Sequence, residues 1–202
     1  MRLEFKTVVS NLIMLNIVAM VFINFIPQSL PFIDKYLALY PFEHNNFKFF
    51  QLVSYMFLHA DFTHLFFNMF ALWMFGRQLE YDLGSKRFLS YYLLTGIGAG
   101  ALNLLVMSLT GDYGITIGAS GAVYGILLAF GVLHPNVPLY LFFLPIPIKA
   151  KWFVIGYGVL ELLQGLASND NVAHFAHLGG MVFGLALLLI WKKVRLGNRP
   201  RF

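Results

Sequence analysis

The sequence predicts an all-α polytopic membrane protein of six transmembrane helices, and three observations carry that reading. The 202 residues are 59% hydrophobic and 17% aromatic, with 11% charged, and the mean hydropathy is +0.72, far from the composition of a soluble globular chain. Six apolar windows, roughly 8–27, 63–80, 88–109, 117–133, 149–166 and 173–191, fall in the range of about 17–25 residues that crosses ~30 Å of hydrocarbon. Six spans place both termini on one side, and that side then carries 12 of the 14 Lys and Arg. These are Arg2, Lys6, Arg77, Lys86, Arg87, Lys149, Lys151, Lys192, Lys193, Arg195, Arg199 and Arg201, with Lys35 and Lys48 opposite. The positive-inside rule makes both termini cytoplasmic, and the expected location is a plasma membrane of bacterial inner-membrane type. The net charge of +5 is therefore a topology signal, with a contact to anionic lipid as its extension; nothing else points to nucleic acid.

The elements follow in order. The first span, preceded by "MRLEFK", resembles a signal peptide, but its apolar run is long, carries Asn11, Asn16 and Asn24, and ends in "FINFIPQ" without a small-residue cleavage site, so it is expected to be retained. The segment 28–58 is too long and aromatic for an ordinary loop; with Pro27, Pro31 and Pro41 breaking it, short helices lying in the outer leaflet are expected. The stretch "HPNVPLYLFFLPIPIK" after the fourth span has four prolines and cannot be one regular helix. Residues 1–202 read as a single domain without linker or repeat, and the absence of cysteine excludes disulfides and thiolate metal sites.

Polar residues inside spans mark candidate sites. The fourth span reads "GITIGASGAVYGILLAF", with Ser120 among Gly118, Gly121 and Gly125. Alone, such a serine reads as helix packing, since small residues let backbones approach and a serine often just bonds a carbonyl. It is not a G-x-S-x-G elbow, because Ala122 stands where the second glycine would be. The sixth span opens "NVAHFAHLGGMVFG". Both spans run from outside to inside, and at about 1.5 Å per residue Ser120 and His177 each lie ~5–9 Å below the outer boundary. Gly180 and Gly184 follow His177 at i+3 and i+7, on the face that carries the imidazole. A neutral imidazole beside a hydroxyl is a general base for a nucleophile. Tyr124, one turn below Ser120, can pack on the ring. Spans 4 and 6 offer no carboxylate as a third member, so a catalytic site here is expected to be a dyad. Entering the second span, "HADFTHLFFN" puts His64 and Asn68 on one face near the same end. Their N–H groups suit a developing oxyanion, and equally suit an Asn that holds helices together with His64 as its partner.

Together "GASGAVYG", "AHLGGMVFG" and "HADFTHLFFN" resemble the rhomboid intramembrane serine proteases, over spans 2 to 6 and in the family's order. The resemblance implies a rhomboid-like bundle with Ser120 as nucleophile and His177 as general base, then acid. It implies His64, Asn68 and the Ser120 backbone N–H as oxyanion donors, and Tyr124 as the aromatic residue on the imidazole. His59 matches a histidine with a structural hydrogen-bonding role. Gly180 and Gly184 match glycines that bring span 6 onto span 4, and Glu80 matches an acid at the inner end of span 2. One departure stands out: Phe50 and Gln51 occupy the place of a structural Trp-Arg pair, which puts the internal bonding of the first outer loop in doubt. The chain resembles the minimal six-helix form.

The expected activity is hydrolysis of a peptide bond in or near a transmembrane segment of a single-pass or polytopic substrate, on the outer side, without cofactor or metal. Helix-breaking residues and a small residue before the cut are what the family implies, with lateral entry past span 5 or the first outer loop. His174, nearer the water, is expected to be structural or interfacial, and Glu161 and Gln164 to line a water-accessible cavity. Two other readings compete. A rhomboid-like pseudoprotease would bind membrane helices without cutting them, but such proteins generally lack the serine or the histidine. A metal carrier built on His59, His64, His174 and His177 would leave Ser120 and Asn68 unexplained and has only Asp61 beside it, whereas such sites usually recruit carboxylates.

Overall fold

The computed structural model describes residues 7–25, 30–111, 113–141, 144–167 and 173–196. Among the described residues six long helices occupy the six apolar windows: α1 (Val8–Phe25), α4 (Phe62–Leu83), α5 (Ser85–Thr110), α6 (Ser120–Leu133), α7 (Ala150–Ala167) and α8 (His174–Leu196). Between α1 and α4 come two short helices, α2 (Leu30–Leu37) and α3 (Gln51–Ser54), and a 3-10 turn at Tyr55–Phe57. Pro31 sits in the first turn of α2, where its missing N–H costs nothing.

Two expectations need correction. The fold is not wholly helical, because the proline-rich stretch after α6 forms an antiparallel hairpin of β1 (Pro138–Leu141) and β2 (Leu144–Lys149). In this two-stranded ribbon every strand is an edge strand, where proline is tolerated. The fourth helix also begins at Ser120 rather than at residue 117, and residues 113–118 run as non-helical chain. Arg2, Lys6, Pro27, Arg199 and Arg201 of the sequence analysis lie outside the described residues.

α6 forms the centre of the bundle, packed against α4, α5, α7 and α8. Its sequence is apolar nearly all round, which is the pattern of a buried helix, and Gly121, Ala122, Val123, Gly125, Ile126, Leu127, Ala129 and Phe130 are all buried. The outer helices instead turn large apolar side chains outward, among them Phe22, Phe66, Trp73, Leu163 and Ile190. Such extensive exposed apolar surface is foreign to a protein bathed in water. By length and composition α5 and the His174–Trp191 part of α8 are sufficient to cross a membrane, while α1 and α6 hold shorter apolar runs.

The two ends of the bundle differ. At one, the Glu80 carboxylate accepts from the backbone N–H of Val8 (2.9 Å) and Val9 (3.0 Å) and from the Ser85 hydroxyl (2.6 Å). It caps the start of α1 from the end of α4. Asp82 and His134 pair at 2.6 Å at that same end. At the other end the loop before α4 folds around Gln51, which is fully buried. Its Oε1 accepts from the N–H of Lys48 (3.1 Å) and Tyr40 (3.4 Å), and its Nε2 donates to the carbonyls of Asn46 (2.9 Å) and Tyr36 (3.1 Å). The doubt raised by the missing Trp-Arg pair is thereby answered: one glutamine amide bonds the loop internally, while Phe50 is exposed.

Candidate functional site

Ser120 is set in place by the chain that precedes it. Thr116 bridges to Leu39 by two backbone hydrogen bonds of 3.0 and 2.9 Å, and Asn103 on α5 donates to the Thr116 hydroxyl at 2.8 Å. The Gly118 N–H then donates to the Tyr55 carbonyl at 2.9 Å. Gly118 has φ +120°, a conformation L side chains rarely adopt, and a Cβ there would lie 2.8 Å from His64 Nε2. The turn at Gly118 delivers Ser120 as the first residue of α6. The N–H groups of that first turn have no partner within the helix.

His177 lies in the first turn of α8, as Ser120 does in α6. Its Nε2 is 2.8 Å from Ser120 Oγ. Tyr124 stacks on the imidazole, with ring centroids 4.3 Å apart and planes 5° from parallel. The approach of α8 to α6 depends on glycine. A Cβ on Gly180 would lie 1.8 Å from the Gly121 carbonyl oxygen and one on Gly184 3.2 Å from the Gly125 Cα, while α5 closes in as well, its Ala99 Cβ 2.5 Å from a Cβ on Gly121 and its Tyr91 hydroxyl 2.4 Å from one on Gly184.

A carboxylate from α7 completes the cluster. Glu161 Oε2 is 2.9 Å from His177 Nδ1 and 2.7 Å from His174 Nδ1, and the Tyr124 hydroxyl donates to Oε1. Glu161 stands on span 5, outside the two spans from which a dyad was expected. The available signal was an intramembrane carboxylate six residues from the outer end of an apolar helix, at the depth already argued for Ser120 and His177. Glu161 is buried, whereas Gln164 is exposed. His174, expected near water, is buried at 6% exposure and faces the same carboxylate.

His64 occupies the first turn of α4, which Asp61 caps by accepting the His64 backbone N–H at 2.8 Å. Its ring edge faces Gly118, beside Ser120. Asn68 is buried and uses one amide N–H on the His64 carbonyl, at 2.9 Å, leaving the other N–H for a ligand. His59 departs from expectation. Both its ring nitrogens are buried without a hydrogen-bond partner among the described residues, and it meets His64 edge to face at 4.9 Å. Burial, aided by the neighbouring His64 and opposed by Asp61, pushes its pKa down to about 4. The four-histidine metal set is not gathered at one point. Among the described residues the group whose ligand atoms converge is Glu161, His174 and His177, all within 4.8 Å of one another.

The match to known proteins covers this same region. The family model described as Rhomboid domain matches residues 46–193. "Rhomboid protein 1, mitochondrial" of Saccharomyces cerevisiae is 33% identical over 163 residues, which cover 79% of this chain and 46% of that protein. "RHOMBOID-like protein 12, mitochondrial" of Arabidopsis thaliana is 32% identical over 163 residues, covering 73% and 47%. Human "Presenilin-associated rhomboid-like protein, mitochondrial" is 32% identical over 148 residues, covering 67% and 38%. The chain thus spans less than half the length of these relatives. Ser120, His177, Tyr124, Glu161, His64 and Asn68 all lie inside the matched segment, and the chain belongs to the rhomboid family.

Proposed function

We propose that this protein is an intramembrane serine endopeptidase that cleaves membrane proteins in or near their transmembrane segments. The observation that carries the reading is the 2.8 Å contact between Ser120 Oγ and His177 Nε2, at one end of a bundle whose outer surface is apolar. The imidazole takes the hydroxyl proton as Oγ attacks the scissile carbonyl carbon, then gives it to the leaving amine. Negative charge on the carbonyl oxygen develops beside the Ser120 backbone N–H, the second Asn68 N–H and the His64 ring. Water then attacks the acyl-serine with His177 again as base, which releases the second product.

On this reading all six long helices cross the bilayer. The end carrying Glu80, Asp82 and His134 faces the cytoplasm, and the Ser120 end faces outward. The distribution of Lys and Arg supports that orientation and a plasma-membrane location; the named relatives above are mitochondrial, so the location in particular needs its own test. The substrate is a single-pass or polytopic membrane protein whose helix unwinds at the cut.

A fluorescent fluorophosphonate, which reacts with activated serines, tests the activity without a known substrate. Native protein in mild detergent should label, while Ser120→Ala, His177→Ala and heat-unfolded protein should not. Folded wild-type protein that fails to label would favour the helix-binding pseudoprotease instead.

A further inference from the structure

The site holds more acid-base machinery than a serine and a histidine need. We propose that Glu161 is a positioning residue that makes the site a Ser120–His177–Glu161 triad, holding His177 in the one tautomer able to act as base. The inference rests on the protease reading and adds the residue that sets the state of its base.

The geometry argues it through hydrogen-bond roles. An ionised carboxylate only accepts, so the nitrogen that faces it must carry a proton. His177 Nδ1 faces Glu161 Oε2 at 2.9 Å. With the proton fixed on Nδ1, Nε2 has a free lone pair, and it is Nε2 that lies 2.8 Å from Ser120 Oγ. The hydroxyl must then donate, which is the polarity that proton abstraction requires. Reversing the tautomer would place an N–H against Ser120 and leave two acceptors facing each other at Nδ1.

The carboxylate is itself fixed by its neighbours. Oε1 accepts from the Tyr124 hydroxyl, and Oε2 faces His174 Nδ1 at 2.7 Å as well as His177. A buried carboxylate is costly unless several donors satisfy it, and here three converge. Tyr124 therefore serves twice, with its ring stacked on the imidazole and its hydroxyl on the group that orients it. His174 and His177 stand one turn apart on α8, so a single carboxylate from α7 spans both.

Two readouts test the role. In protein carrying ¹⁵N-histidine, the ring nitrogens of His177, assigned by their loss in His177→Asn, report the tautomer directly. Wild-type protein should show a protonated Nδ1 and an unprotonated Nε2. Glu161→Gln keeps the size of the side chain and removes the charge; it should populate the other tautomer and slow fluorophosphonate labelling of Ser120. The expected slowing is about 10²–10⁴-fold, by analogy with the roughly 10⁴-fold loss for the equivalent change in a serine protease triad. Glu161→Asp should recover part of the rate. A protonated Nε2 in wild-type His177 would overturn the proposal with no variant needed, even should Glu161→Gln fail to fold. So would a folded Glu161→Gln that labels within about threefold of wild type and keeps the wild-type tautomer. The NMR readout judges Glu161 even if wild-type protein does not label, an outcome that would count against the protease reading instead.

Discussion

Gly180 of α8 meets Gly121 of α6 backbone to backbone: a Cβ placed on Gly180 would sit 1.8 Å from the Gly121 carbonyl oxygen. A side-chain neighbour could turn aside, but a carbonyl within a buried helix cannot move without moving the helix. Ser120 adjoins Gly121, and His177 lies three residues before Gly180, so the same contact fixes the distance between the reacting groups. Gly180→Ala should cost about 1–3 kcal/mol, the range for overpacking a dense core, and should abolish Ser120 labelling at temperatures where the protein remains folded. Gly156→Ala is the control. Nothing lies within 4 Å of a Cβ at Gly156, and replacing a mid-helix glycine should raise stability by roughly 0.5–1 kcal/mol. Thermal unfolding in detergent compares the two; equal effects would mean that the close approach does not set the site.

Gln51 gives the first loop its shape through one amide. Gln51→Ala would strip partners from the N–H groups of Tyr40 and Lys48 and the carbonyls of Tyr36 and Asn46. At about 1 kcal/mol net for each hydrogen bond, the loss is ~2–4 kcal/mol, concentrated in the loop. Hydrogen exchange should show protection falling at Tyr40 and Lys48 while the amides of α6 keep theirs. Gln51→Met, which fills the space without bonding, should do no better than alanine. Unchanged exchange at Tyr40 in either variant would remove Gln51 from this role.

Much of this arrangement is legible in the sequence, because bilayer thickness and helical periodicity constrain a sequence strongly. The six long helices fall within a few residues of the apolar windows, and depth counting brought Ser120 and His177 together. The third group was missed because depth does not say which way a side chain faces. Counting places Glu161 toward the outer end of span 5, but only the packing of α7 against α8 turns its carboxylate to His177 Nδ1. The β-hairpin escaped because prolines exclude a helix without specifying a strand. Gln51 could be recognised only as a departure from a pattern, since the four backbone groups it joins lie up to 15 residues away in sequence and converge only in the folded loop.

His59 carries an expected pH dependence. It lies just before α4, and burial lowers its pKa from the ordinary 6.5 to about 4. Below pH 6.5 the unfolded chain binds a proton there that the folded chain refuses, so stability falls as the pH drops from about 6.5 towards 4 and is fully present above that window. A neutral aromatic ring in its place removes this contribution. Thermal unfolding of wild-type protein and His59→Phe between pH 4 and 8 should give a wild-type curve that falls more steeply on the acid side. Parallel curves would mean that another group titrates in the fold.

Glu80 performs at the opposite end the service that side-chain caps perform within a single helix. Its two oxygens take the N–H groups of Val8 and Val9, donors of the first turn of α1 that no helical carbonyl reaches, and its charge stands at the positive end of that helix. Ser85 adds a third bond at 2.6 Å. Glu80→Ala should therefore loosen α1 from the bundle at a cost of about 1–2 kcal/mol, the upper range for loss of an N-terminal cap. Ser85→Ala, which leaves both backbone bonds in place, should cost less. Since α1 lies away from Ser120, limited proteolysis of Glu80→Ala should cut α1 from the rest of the chain before Ser120 labelling declines. Resistance equal to wild type would show that apolar packing alone holds α1, with the carboxylate a passenger.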